Sequence, residues 1–181
     1  MNLVGLTSGQ LAHRTRVKNN ILNALNNLPY SVKTGHGSTL TSNIINVVAT
    51  AGSSPGVQVY AYGARVTNRP FLYDVSWRRE DHTNQLLNIK LAFESELDLT
   101  LGEIMHEFEK IISSGAEIGI LVYDKAADRN EDLVFGKIIE QISTYRGYPC
   151  ESFYAIRVDR KEGYFEYYEP YVAQSGYMLS F

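Results

Sequence analysis

The sequence predicts an α/β fold: a mixed central β-sheet flanked by helices, in the order α-β-β-β-α-β-α-β-β. Three observations carry this expectation. Residues 87–97 alternate between bulky apolar and polar side chains, as a half-buried strand does. Residues 117–123 form a nearly unbroken apolar run, as expected of a strand covered on both faces. Apolar residues at helical spacing stand before and after that run. No linker or internal repeat divides the 181 residues, so one domain spanning 1–181 is expected.

Taken in order, Thr7 or Ser8 can cap a first helix that runs to about Asn27, with Leu11, Val17, Ile21, Leu22 and Leu25 near helical spacing and Pro29 closing it. Residues 30–56 are rich in Gly, Ser, Thr and Asn and read as loop, except for a short apolar stretch at 44–48 that fits a helix or a strand. Residues 57–66 read as a strand and 67–70 as the turn after it. In 71–77, Phe71, Tyr73, Val75 and Trp77 are expected on one face, with Leu72, Asp74 and Ser76 on the other. A charged hairpin loop over 78–85 leads to the strand at 87–97. There Leu87, Ile89, Leu91, Phe93 and Leu97 share a face with Ser95, opposite Asn88, Lys90, Ala92, Glu94 and Glu96. Thr100 begins a helix with the apolar stripe Ile104, Met105, Phe108, Ile111 and Ile112, and Gly115 ends it. Leu133, Val134, Ile138 and Ile142 form the core face of the next helix. A last hairpin, 152–158 with 164–172, turns at Lys161, Glu162 and Gly163.

Composition narrows the classes of function. Apolar residues at 44% and charged residues at 20% exclude a disordered or fibrous chain. No window approaches the roughly 18 uninterrupted apolar residues of a membrane helix, and the amino end lacks the basic region of a signal sequence. Cys150, the sole cysteine, cannot pair within the chain, which makes a soluble cytoplasmic protein the expectation.

Charge is divided unevenly. Residues 1–73 carry Arg14, Arg16, Lys18, Lys33, Arg65 and Arg69 and no acid, a balance of +6. The remainder carries 11 basic and 20 acidic residues, a balance of −9. Such an amino-terminal part suits contact with a polyanion, with Arg14, Arg16, Lys18 and Lys33 meeting nucleic-acid phosphates. The alternative is a basic segment that docks on the acidic rest of its own chain.

The candidate chemistry lies at Asp74, Glu94 and Glu96. Residues i and i+2 of a strand have Cα atoms about 6.5–7 Å apart on one side, and a hairpin pairing would bring Asp74 opposite or diagonal to them. Two carboxylates about 7 Å apart repel by about 2.4 kcal/mol at an effective dielectric of about 20. A partly buried cluster therefore needs a counter-charge, and Mg²⁺ (or Mn²⁺) prefers carboxylate oxygens.

Asp74, nineteen intervening residues and then Glu94, Ser95 and Glu96 resemble the PD-(D/E)XK nuclease superfamily, in its Glu-x-Glu variant. The resemblance covers about 70–123, less than a third of the chain. It implies a restriction-endonuclease-like core (α-β-β-β-α-β) with an added C-terminal hairpin. It also implies Asp74 and Glu94 as metal ligands with the Ser95 carbonyl as a third, and Glu96 in the slot of the superfamily lysine. The implied activity is Mg²⁺-dependent endonuclease cleavage of DNA, of restriction or defence type. Tyr73 stands where the motif has proline, and no acid precedes Asp74 to match the glutamate many members carry on the first helix. Lys110 is the candidate for a relocated catalytic lysine. Counted from Phe108, however, it falls about 200° around the helix, which predicts a solvated face.

The alternative function is a non-catalytic interaction protein on the same fold. Its site would be degenerate, and the missing acid before Asp74 and the overall acidity favour it; the late tyrosines, 154, 164, 167, 168, 171 and 177, suit stacking on bases, edge-strand packing or a subunit contact in a homodimer. His13, His36, His82 and His106 have no spacing that suggests a metal cluster.

Overall fold

The computed structural model describes residues 7–62, 72–97, 100–127, 133–145 and 150–168, with two short strands at 171–172 and 178–179. Helices α1 (Ser8–Asn26), α2 (Tyr30–Lys33) and α3 (Gly37–Ala51) precede strands β1 (Gln58–Ala61), β2 (Val75–Glu80) and β3 (Leu86–Glu96). Then come α4 (Leu101–Ile112), β4 (Ile118–Asp124), a single 3₁₀ turn, α5 (Leu133–Thr144), β5 (Phe153–Asp159) and β6 (Tyr164–Tyr168). The sheet runs β1-β2-β3-β4-β5-β6 in space. β3, β4 and β5 are parallel, and the outer pairings are antiparallel. The fold is α/β, with a mixed sheet and helices on both faces.

Each face has its own core. Leu40, Ile44, Ile45 and Val48 of α3, with Ile21 and Leu25 of α1, pack on Val75, Trp77, Leu91, Phe93 and Ile120. On the other face, Ile104, Phe108, Ile111 and Ile112 of α4 and Val134, Ile138 and Ile142 of α5 pack on Ala92, Leu121, Tyr123 and Ala155. All seven residues of β4 are buried, as the apolar run predicts.

α1 begins with a capping box, Gln10 N–H donating to Thr7 Oγ1 while Thr7 N–H donates to Gln10 Oε1. Thr100 stands at the N-cap position of α4 with its hydroxyl donating to Glu103, and the helix ends before Gly115, whose φ of 63° suits a residue without Cβ. β4 makes its closest approach to α4 at Gly119. A Cβ there would lie 2.4 Å from Ile111 Cγ2 and 3.0 Å from Cys150 Sγ, so the helix seats where a side chain is missing.

Four readings are corrected. The segment expected as loop contains α2 and α3, because Leu40, Ile44, Ile45, Val48 and Ala49 repeat at helical spacing beneath a polar composition. The strand expected from 71 starts at Val75, and Tyr73 enters the α4–α5 core rather than sharing a face with Val75 and Trp77. β2 continues through Glu80, so the hairpin loop is shorter than expected. In β3 the pairing steps from Trp77↔Leu91 to Arg78↔Ile89, leaving Lys90 as a bulge. That extra residue swings Ile89 onto the α4 side, away from Leu91. The C-terminal hairpin forms as β5 with β6. The expectations for 63–71 and for the side chains of Tyr168, Tyr171 and Tyr177 lie outside the described residues.

Candidate active site

β2 and β3 pair as an antiparallel hairpin and part at Asp74, one residue before the ladder begins. Side chains take over from the ladder at that point. Asp74 N–H donates to Glu94 Oε2 at 3.1 Å, and Ser95 donates to Asp74 Oδ2 through N–H at 2.9 Å and Oγ at 3.0 Å. Asp74 is half-buried and Glu94 is 3% exposed.

Facing them, the apolar stripe of α4 holds the helix on β3 and β4. Lys110 crosses from the helix flank to place Nζ 2.5 Å from Glu94 Oε1, and it also pairs with Glu107, one turn back. The helical wheel gives its direction away from the stripe correctly, but a four-carbon stem crosses that angle and carries the charge inward. Lys110 thus belongs to the site, not to a solvated face. Glu107 joins through the same ion pair and is a residue the sequence reading missed. Its signal was the i,i+3 spacing to Lys110. Glu96 stands two residues beyond Glu94, half-buried and opposite Tyr123 of β4.

Burial pushes the Glu94 carboxyl up to about 8, assisted by the charges of Asp74 and Glu107 and opposed by Lys110. Burial also raises Asp74, against the lowering effect of the two Ser95 hydrogen bonds. For Lys110, burial works to lower the pKa, but the bonds and charges of Glu107 and Glu94 outweigh it and the ammonium is held above its ordinary value. Among the described residues, burial thus works against the charged forms of Asp74 and Glu94, and Lys110 is the cation that opposes it.

Among the described residues, no three His, Cys, Asp or Glu side chains are arranged to hold a metal ion. Mg²⁺ commonly uses only one or two carboxylates and completes its shell with waters and substrate phosphate. Asp74 and Glu94 bring two carboxylates together, Asp74 N–H donating to Glu94 Oε2.

The basic residues expected to meet phosphates divide differently. Arg14 is 2% exposed, ion-paired to Glu151 and bonded to Ser152 Oγ at 3.2 Å. Lys18 is 2% exposed, with Nζ 3.4 Å from the Tyr167 ring centroid and 5.6 Å from that of Tyr154. Lys33 is buried and donates to the Asn26 carbonyl at 2.9 Å. Only Arg16 of the four is exposed. The reason is periodicity: residues 14, 18, 21 and 25 form the buried face of α1, and residue 16 falls about 200° from residue 14. Arg14 matches the docking alternative, since its partner Glu151 belongs to the acidic part of the chain.

No helix among the described residues is long and apolar enough to cross a membrane. The chain matches no protein-family model, no curated protein and no solved structure.

Proposed function

We propose that this chain is a divalent-metal-dependent endonuclease acting on DNA, of restriction or defence type, on a PD-(D/E)XK-like core. The observation that carries this reading is the convergence of Asp74, Glu94, Ser95 and Lys110 where β2 parts from β3. Asp74, Glu94 and the Ser95 carbonyl would hold Mg²⁺ or Mn²⁺. Bound there, the ion would lower the pKa of a coordinated water and offset charge on the phosphoryl oxygens. Lys110, ion-paired with Glu94 and Glu107, would supply a second cationic group toward a phosphate. Glu96, one step along β3, is the carboxylate available to take a proton from water.

A test is nicking of supercoiled plasmid by the purified protein with Mg²⁺ or Mn²⁺, against Glu94→Gln and against chelator. The expected result is cleavage by the wild-type chain only, with Glu94→Gln folded and still able to bind DNA. Absence of nicking together with no calorimetric heat of metal binding would overturn the reading.

The burial of Arg14, Lys18 and Lys33 favours a second reading, a non-catalytic interaction protein, because it removes three of the phosphate contacts the charge division suggested. That protein would show no salt-dependent affinity for DNA.

A further inference from the structure

One neighbour of the carboxylates has no part in the site described so far. Tyr62 directly follows β1, and its backbone N–H donates to the Asp74 carbonyl at 2.9 Å, one pair beyond Ala61↔Val75. Residues opposed in this way carry Cβ atoms about 4.5–5.5 Å apart on one side of the sheet. The ring of Tyr62 is therefore carried beside the residue that bears the Asp74 carboxylate. It is 67% exposed, more than any other large apolar side chain described, and Leu72, two residues before Asp74, is 59% exposed.

Tyr60 shows what a tied-down tyrosine looks like two residues earlier. Its hydroxyl donates to Glu80 at 2.6 Å, and its ring lies under the Arg78 guanidinium at 4.4 Å. The Tyr62 side chain has no hydrogen bond, ion pair or ring contact among the described residues. At 67% exposure the ring is largely open to solvent on the side of the described residues.

We infer that Tyr62 is a stacking platform for a nucleobase next to the phosphate that would meet the metal ion at Asp74 and Glu94. The inference rests on the endonuclease reading and narrows it. A base can lie on a protein ring only when it is out of its own stack, so the preferred substrate is single-stranded DNA or a locally opened duplex.

The experiment compares Tyr62→Ala and Tyr62→Phe. Affinity for a fluorescent single-stranded oligonucleotide is read in the Glu94→Gln background, where the strand is not cut. Cleavage of the same oligonucleotide is read in the otherwise wild-type chain. Tyr62→Ala should weaken binding about 5- to 150-fold, the range of one lost base–aromatic stack, and should leave the melting temperature unchanged. Tyr62→Phe should bind as tightly as the parent, since the ring and not the hydroxyl does the stacking. An abasic nucleotide beside the cut should weaken the parent as much as Tyr62→Ala does. Unchanged affinity in Tyr62→Ala, with parent binding and cleavage intact, overturns the stacking role alone. Equal loss in Tyr62→Phe overturns it as well. A wild-type chain that neither cuts nor binds the strand removes the endonuclease reading, and the stacking role falls with it.

Discussion

Along α1 and α2, Arg14, Lys18 and Lys33 leave water, and each finds its own compensation: a carboxylate, two aromatic rings and a carbonyl oxygen. Where β2 parts from β3, Asp74, Glu94 and Glu107 leave water too, but they share one ammonium, Lys110. Among the described residues, the first set is settled within the chain, and the acids of the second outnumber the ammonium they face. Structural charges in folded proteins are normally paired off, because an uncompensated buried charge is expensive. On the proposed function, that surplus is where a divalent cation would be received.

The sharpest test of that contrast pairs Lys110→Met with Arg14→Met. Losing Lys110 leaves buried Glu94 without its cation and should destabilise the fold by about 3 kcal/mol at pH 8. Cleavage should fall at least about 100-fold, as for loss of a positioned charge-stabilising group. Losing Arg14 strands Glu151, whose side chain is already 50% exposed, so the ion pair itself should be worth no more than about 1 kcal/mol. Equal costs in denaturant unfolding would break the comparison.

Protonation of Glu94 provides a test of the next size. Its folded pKa of about 8 lies above the ordinary 4.5, so between these values the native state holds more protons than the unfolded one. Stability from this group is therefore fully present below about pH 4.5 and is lost as pH rises through about 8, by about 2–5 kcal/mol in all. Glu94→Gln should flatten that slope in urea melts at pH 5, 6.5 and 8. A slope of the opposite sign would mean that the Lys110 pairing outweighs burial.

Metal binding should draw on the same proton. Millimolar Mg²⁺ or Mn²⁺ should raise the melting temperature, by about 2.7 kcal/mol of stability at a hundredfold excess over Kd. Calorimetry in buffers of different ionisation enthalpy should show proton release below pH 8. The smallest effects belong to α1. Arg16→Ala should reduce the log–log salt slope of duplex binding by about 0.9. Lys18→Met should leave that slope alone and change stability by less than about 1 kcal/mol, since lost cation–π attraction is offset by relief of desolvation.

The sequence made the mixed sheet legible where one rule governed a whole segment. The run that became β4 is buried throughout, and the stripe of α4 is the face it buries. It was illegible where two rules competed. Ser38, Thr39, Thr41, Ser42 and Asn43 spoke for loop while Leu40, Ile44 and Ile45 spoke for helix, and packing against Trp77 decided for α3. Alternation in β3 failed at Lys90 because a bulge is a property of the pair of strands, which no single strand displays. At the candidate site, strand pairing brings Asp74 and Glu94 together, as a hairpin reading expects. Lys110 was expected on a solvated face because a wheel locates Cβ and not the end of a long side chain. Arg14 and Lys18 were read outward because charge was weighed before periodicity.

The gap between Lys110 and Glu94 is set elsewhere. Ile111, the residue after Lys110, fills the space that a side chain at Gly119 would occupy. Gly119 lies on β4, next to Ala92 of β3, two residues before Glu94. A methyl at that point would act as a shim, lifting the helix and detuning the ion pair with every charged group still in place. Trimming Ile111 to valine would return part of the clearance. The calibration of the pocket therefore resides in an atom the chain does not have, on a strand that contributes none of the pocket's charges.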